Sequence, residues 1–317
     1  MTKLYLLLAT YNGAKYISEQ LDSLLSQTFA DFHILISDDR SNDDTMSIIN
    51  QYCKKHKNII LLPQKDKKMG ACGNFEYLLE NAGEAEYIMF CDQDDVWKPD
   101  KIQLTMTSMK EEESLNKNRI PVLVYSDMQY VANDLTPIFL PEIQFKQENK
   151  QTLLVQNYIY GCTMLINKPL YQLLLPISKK AENHDSWVSA IACMAGKIKY
   201  IPVKTILYRQ HDANASGNYT NSSFKKRFKR NVLNLKTEGE YLYKSFGMLK
   251  DACEHLKNKS NSQYYFLAND FLKTLNSNKF YILKFMLKNK IFMLTKLQTS
   301  KMFFLILIGT FDLSNNE

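Results

Sequence analysis

Asp92, Asp94 and Asp95 crowd into four positions of the stretch CDQDDVWKPDK, residues 91–101. Carboxylates this close repel one another and raise one another's pKa. A hard divalent cation, Mg²⁺ or Mn²⁺, removes that repulsion. Such ions take oxygen ligands and rest on one or two carboxylates together with substrate phosphates. The competing account is a solvated acidic turn ahead of a helix N-terminus, where the helix dipole also favours negative charge. On either account Lys98–Lys101 start the next helix.

Three further stretches hold residue types suited to chemistry. In ISDDRSNDDT (36–45), Asp38 and Asp39 follow an apolar run, and Ser41–Asp44 have the composition of a helix cap. Either all of it is turn and cap, or one aspartate accepts a hydrogen bond from a ligand N–H. In HDSW (184–187), Asp185 is a candidate general base, because Asp is seldom fully buried without a partner. His184 either orients it or is a satisfied surface histidine. YRQHDANASG (208–217) contains His211, one of only five histidines. It becomes a ligand if the fold carries it to the aspartates, and is structural otherwise.

The elements that must position these residues are legible up to about residue 126. LYLLLA (4–9), HILIS (33–37), IILLP (59–63), YIMFCD (87–92) and VLVYS (122–126) are apolar runs of strand length. Between them, Ile17, Leu21, Leu24 and Leu25 keep helical spacing, as do Ile48, Ile49 and Tyr52. A helix is expected near 74–81, and another after Pro99, with the proline in its first turn. Strands alternating with helices predict a mostly parallel sheet covered on both faces. Ligands of such sheets bind beyond the carboxyl ends of the strands. ATYNG, SDDRSNDD and CDQDD each follow a strand directly, so they should share one rim. Residues 127–223 are less regular, and SGNYTNSS (216–223) reads as a linker or mobile loop. No internal repeat is visible.

Composition is that of an ordinary soluble globular chain: 317 residues, 45% hydrophobic and 23% charged. Six cysteines without CxxC spacing suggest buried free thiols in a reducing compartment. The N-terminal apolar run is too short for a signal peptide, and MFFLILIG near the end is too short to span a bilayer. The net charge of +7 is uneven. Residues 224–317 hold 17 Lys and Arg against 7 Asp and Glu. Such a tail suits nucleic acid or an anionic membrane. No nucleic-acid recognition motif accompanies it, which leaves the membrane surface, or packing on the catalytic domain or a second subunit. Its lysines do not fall on one clean helical face.

Taken in order, LLLATYNGAKYISEQLDSLLSQTFADFHILISDDRSNDDT, YIMFCDQDDVWKPDKI, HDSWV and YRQH followed by Asn and Gly resemble family 2 glycosyltransferases of the GT-A fold, in the bacterial rhamnosyltransferase-like branch. The resemblance covers about residues 3–217 and none of the last third. It implies an α/β fold: a GT-A, Rossmann-like, mostly parallel sheet flanked by helices in residues 1–220. A basic, helical C-terminal region, 221–317, follows, for membrane-surface docking or homo-oligomerisation. It implies that Thr10 and Tyr11 line a nucleotide pocket, and that Asp39, helped by Asp38, accepts the N3–H of uracil or thymine. Asp92 and Asp94 match the DxD motif, with Asp92 on the nucleotide side and Asp94 and His211 on a Mg²⁺ or Mn²⁺ ion. Asp95 contacts either the metal site or the donor sugar. Gly70 and Asn74 match a glycine-containing loop near the diphosphate. Asp185 aligns with the catalytic base, with His184 and Trp187 beside it.

The implied activity is an inverting, metal-dependent transfer from a dTDP- or UDP-sugar, with dTDP-rhamnose foremost. The implied acceptor is a lipid-linked saccharide of O-antigen or capsule synthesis, at the cytoplasmic face of the membrane. Two positions depart from the branch. ATYNG lacks the proline many relatives have before Tyr-Asn, and Ser186 replaces a second tryptophan, which bears on the acceptor. The alternatives are a nucleotidyltransferase with a related sheet, and a non-catalytic nucleotide-sugar-binding subunit. The first wants a basic, glycine-rich triphosphate loop that ATYNGAKY does not supply. The second predicts loss of Asp94 or Asp185, and both are present.

Overall fold

A computed structural model describes residues 3–116, 120–139, 150–211 and 235–309. The linker expected at 216–223 and the domain boundary expected after residue 220 lie outside them. The apolar runs form β1 (Leu4–Thr10), β2 (Phe32–Asp38), β3 (Ile59–Leu61) and β4 (Tyr87–Asp92). β1 lies between β2 and β4 and is parallel to both, and β3 adds in parallel outside β2. Leu4, Leu6, Leu7 and Leu8 are completely buried, each stabilising the fold by about 1.5–3 kcal/mol. Burial on both faces is why this strand reads as a continuous apolar run rather than an alternation.

The expected helices are α1 (Ile17–Leu25), α2 (Thr45–Lys55), α3 (Gly70–Glu80) and α4 (Lys101–Leu115). α1 buries Ile17, Leu21 and Leu24, three of the four positions its spacing selects, and leaves Leu25 half-buried. α3 begins four residues before the expected start, at Gly70, whose φ of +74° turns the chain into the helix. Pro99 stands outside α4, ahead of its N-cap Asp100, rather than in the first turn.

The rest of the sheet is less regular. Its order is β3-β2-β1-β4-β7-β6-β8-β5, eight strands in all. β6 (Val122–Val131) is separated from β4 by β7 (Met164–Asn167), which is antiparallel to both. β8 (Lys197–Arg209) runs parallel to β6 with a register shift around Asp127. The two-residue β5 (Val96–Trp97) pairs antiparallel with Ile206 and Leu207 of β8. Chain length and pattern explain why β7 and β8 were not expected: one is four residues long, and much of the other is half-exposed.

The chain divides into two compact units. The first, residues 1–141, 159–176 and 197–220, holds the sheet with α1–α4 and the short α5 (Lys168–Tyr171). The second, residues 142–158, 177–196 and 221–317, is helical. It contains α6 (His184–Ala195), α7 (Leu235–His255), α8 (Gln263–Thr274), α9 (Lys279–Lys288) and α10 (Lys296–Ile308). Side-chain caps begin α8, α9 and α10: Ser262 accepts from Tyr265 N, Asn278 from Tyr281 N and Thr295 from Gln298 N. Each cap contributes about 1 kcal/mol.

Candidate active site

Strand register alone gathers the acidic loops of the first unit. Thr10 pairs with Asp38 across β1 and β2, and Ala9 with Asp92 across β1 and β4. The loops beyond these residues therefore share the carboxyl rim. Hydrogen bonds then lace them. Gln93 Oε1 accepts from Tyr11 N (2.8 Å) while its Nε2 donates to Tyr11 O (2.9 Å). Asn12 N donates to Ser41 Oγ and Gly13 N to Thr45 Oγ1, both at 2.8 Å. Thr10 Oγ1 donates to Asp38 Oδ1 (2.9 Å), and Ser41 donates to both Asp38 oxygens, from Oγ (2.6 Å) and N (2.8 Å). Thr10 and Asp38 are both buried. Their polar groups tie two loops together rather than stand free.

Asp39 is 2% exposed, and its oxygens are occupied. Oδ1 accepts from Met69 N and Oδ2 from Gly70 N, each at 2.8 Å. The Lys65 ammonium lies 3.7 Å from Asp39 Oδ1 and donates to Ser37 Oγ (2.9 Å) and Asn74 Oδ1 (2.6 Å). Burial pushes the Lys65 pKa down, against the pull of Asp39 and Asp38. Lys68 Nζ sits 3.4 Å from the centre of the Tyr11 ring. Residues 65–70 thus enclose the Asp39 carboxylate, while Lys68 lies over the ring of Tyr11, which stays exposed. Asn74, expected near a diphosphate, is a buried tie whose Nδ2 donates to Ser37 O (2.9 Å). Gly70 contributes its backbone. Lys65 is a member of this site that sequence reading did not single out, because an isolated lysine in a loop gives no signal.

The second part of the site is the turn between β4 and β5. Pairing β5 with β8 carries Asp94 and Asp95 to the end of β8, where Arg209–His211 lie. His211 Nε2 and Asp94 Oδ2 are 2.8 Å apart, so the fold does bring this histidine to the aspartates. Tyr16, from the approach to α1, stacks on the His211 ring with centroids 4.8 Å apart and planes 20° apart. Arg209 clamps the turn: Nε donates to Asp94 O (2.7 Å), its backbone N to Asp95 Oδ1 (3.0 Å), and its guanidinium also reaches Asn133 O and the Glu19 carboxylate. Neither Tyr16 nor Arg209 was picked out by spacing, although both lie within motifs that were.

Asp95 is 1% exposed. Burial first, then the charges of Asp94 and Asp92, hold its pKa well above the usual carboxylate range. Its Oδ2 has no hydrogen-bond partner among the described residues. One ligand atom each from Asp92, Asp95 and Cys162 lie within 4.8 Å of one another. An unpartnered buried carboxylate oxygen beside two like charges is the situation a divalent cation relieves, so the two carboxylates fit one, whereas the Cys162 thiol is not a ligand that Mg²⁺ or Mn²⁺ favours. Lys101 does more than start a helix. It is fully buried, donates to Cys162 O (2.9 Å) and Thr205 Oγ1 (3.4 Å), and lies 4.5 Å from the Trp97 ring centre. Burial lowers its pKa to about 8.

Asp185, His184 and Trp187 belong to the helical unit. Asp185 is half-buried in the first turn of α6, where the helix dipole favours a carboxylate. Ser186 Oγ donates to Asn183 O (2.6 Å), fixing the entry to the helix. His184 is buried, not a surface histidine, and burial pushes its pKa down to about 3. Trp187 is buried edge-on against His255 (5.6 Å), as a core residue would be. Nearby Tyr241 has its hydroxyl pKa raised by burial, then by Glu182, with Asp185 a lesser cause.

Comparison with known proteins adds identity to this geometry. The family description "Glycosyl transferase family 2" matches residues 5–174. The dTDP-rhamnosyl transferase RfbG of Shigella flexneri is 32% identical over 239 residues, 70% of this chain and 77% of that protein. A putative teichuronic acid biosynthesis glycosyltransferase, TuaG of Bacillus subtilis, is 27% identical over 188 residues, 57% of this chain and 69% of its own length. Among solved structures, S. aureus TarS 1-349 in complex with UDP-GlcNAc superposes with a TM-score of 0.60 at 17% identity, covering 90% of this chain and 73% of that one. The mannosyltransferase PcManGT from Pyrobaculum calidifontis, in complex with GDP-Man and Mn²⁺, gives 0.51 at 12% identity, covering 99% and 88%. These last two are likenesses of fold.

Proposed function

This chain belongs to glycosyl transferase family 2 and is a glycosyltransferase, and from that premise we propose that it transfers L-rhamnose from dTDP-rhamnose, with inversion, to a lipid-linked saccharide acceptor of cell-surface polysaccharide synthesis. The observation that carries the donor is the 32% identity with a dTDP-rhamnosyl transferase over most of both chains. Asp39 by itself supports a pyrimidine, since uracil and thymine both present an N3–H. A UDP-hexose is the other donor this site suits.

In this reading the nucleotide displaces residues 65–70 from Asp39 and Tyr11. The diphosphate lies at the Asp92–Asp95 turn, where Asp92, Asp94, Asp95 and His211 would hold Mg²⁺ or Mn²⁺. The cation supplies charge neutralisation for the departing diphosphate. Arg209 keeps the turn in place from behind. Asp185 takes the proton from the acceptor hydroxyl as its oxygen attacks the anomeric carbon, so the bond to the diphosphate breaks on the opposite face. A positioned base of this kind contributes about 10²–10⁴-fold. No carboxylate nucleophile is called for, in contrast to a retaining glycosidase. The enzyme works at the cytoplasmic face of the membrane, where a polyprenyl-linked acceptor is presented.

The test is a donor screen with dTDP-rhamnose, UDP-glucose, UDP-galactose and UDP-N-acetylhexosamines, read by turnover and by thermal shift with and without Mn²⁺. Stabilisation and turnover are expected with dTDP-rhamnose. Turnover with a UDP-hexose alone would replace the donor. Transfer that survives EDTA would remove the metal.

A further inference from the structure

Residues 271–309 contain seven lysines and neither aspartate nor glutamate. They are the last turn of α8, then α9 and α10 with their connections. On α9, Ile282 and Met286 are buried. At 100° per residue, Phe280, Tyr281, Lys284, Leu287 and Lys288 fall on the other side, within an arc of about 120°. All five are exposed, Phe280 at 79% and Leu287 at 56%. α10 repeats the arrangement. Met302, Leu305 and Ile306 are buried, while Leu297, Phe304, Leu307 and Ile308 share an exposed face. Lys279 Nζ donates to Leu307 O (2.7 Å), so the first turn of α9 lies beside the last turn of α10. That contact brings the Phe280–Tyr281 pair next to Leu307–Ile308. Two of the lysines are matched by acids, Lys273 by Asp270 and Lys301 by Glu238. Lys284, Lys288 and Lys296 have no carboxylate partner among the described residues.

We propose that the exposed face of α9 and α10 docks on an anionic lipid bilayer surface. Soluble chains seldom leave a large apolar patch uncovered, so this one marks an interface. Its chemistry chooses the partner. Aromatic and leucine side chains interleaved with acid-free lysines are what an interfacial helix presents to headgroups and the first acyl carbons. Lysine stems lie along apolar surface while their ammonium groups reach phosphates. A second copy of the chain would set these lysines against each other, with no carboxylates in the patch to answer them. Among the described residues no helix is long and apolar enough to cross a membrane, so the contact is made at the surface. The inference deepens the membrane part of the proposed function and does not depend on the donor or on catalysis.

The experiment is vesicle co-sedimentation of the full chain without substrates. Phosphatidylcholine vesicles are compared with vesicles containing about one-third phosphatidylglycerol. Binding to the anionic vesicles, weakened by salt, is expected, with little to phosphatidylcholine alone. K284E/K288E should weaken partition at least about tenfold, since each basic residue near such a surface contributes measurably. F280S/L287S should weaken it by a similar factor. These positions are exposed, so circular dichroism should stay native. In a second readout, F280W should shift its emission to the blue on adding anionic vesicles. Failure of the wild type to bind at low salt would overturn the proposal. So would binding unchanged in both double variants, or a wild-type dimer that the same variants dissociate and that ignores vesicles. A failed donor screen would leave this result untouched.

Discussion

Three side chains make predictions at the scale of single residues. Asp185→Asn should lower kcat by about 10²–10⁴-fold while leaving the affinity for a nucleoside diphosphate within about twofold, as expected of a base that touches only the acceptor. Isothermal titration beside a transfer assay checks both, and wild-type turnover would refute the assignment. Burial first, then the neighbouring carboxylates of Asp94 and Asp92, disfavour the charged form of Asp95 and hold its pKa well above the usual carboxylate range. Asp95→Asn should therefore leave the metal-free protein as stable as before at pH 7, or slightly more so, yet reduce the rise in Tm caused by Mn²⁺. His184 is held neutral by burial, with its pKa at about 3 rather than the usual 6.5. Below pH 6.5 the unfolded chain binds a proton there that the folded chain does not. Stability due to this site is thus complete above pH 6.5 and falls by about 1.4 kcal/mol per pH unit towards pH 3. His184→Gln should flatten the acid limb of a Tm-against-pH curve between pH 6 and 4.

At the scale of elements, the segment between β3 and α3 is the part of the site most open to test. Its backbone N–H groups satisfy Asp39, and its Lys68 ammonium lies over Tyr11. A cation–π contact at an exposed site is worth about 0.5–1 kcal/mol. If a nucleotide must displace it, Lys68→Ala should tighten UDP or dTDP binding roughly 2–5-fold, as measured by calorimetry. Weaker binding would mean that Lys68 contacts the nucleotide instead. Gly70→Ala has a different cause. A Cβ there meets no atom within 4 Å, but φ is +74°, so the cost is backbone strain of about 1–2 kcal/mol. Because the Gly70 N–H reaches Asp39, that variant should show both a lower Tm and altered nucleotide affinity. The β5–β8 pair is the other decisive element. Two residues of pairing bring the acidic turn to Arg209 and His211.

At the scale of the whole molecule, the chain divides its expected site residues between two units. The proposed base and the proposed donor turn are carried by different parts of the fold: Asp185 on a helix grouped with the C-terminal helices, and the aspartate turn on the sheet unit. A donor bound at a hundred times its Kd should stabilise the protein that holds it by about 2.7 kcal/mol. Thermal melts with dTDP-rhamnose and Mn²⁺ measure that linkage directly.

Much of this protein was determined by sequence alone. The continuous apolar runs of β1, β2 and β4 can be buried only in a two-sided sheet, and parallel register then puts Thr10, Asp38 and Asp92 on one rim. Order and spacing of the acidic motifs were enough to point to the family. Tertiary structure decided what each polar group was free to do. Asp38 and Asn74 are spent on holding loops, Asp39 is covered by a segment thirty residues on, and Lys101 is buried beneath the acidic turn rather than exposed on a helix. Trp187 packs in a core, and His184 is too buried to carry charge. His211 reaches Asp94 across 117 positions because a two-residue strand pairs with β8. Local pattern records which residues favour strand, helix or turn. Hydrogen-bond saturation and burial depend on partners that only long-range pairing brings together.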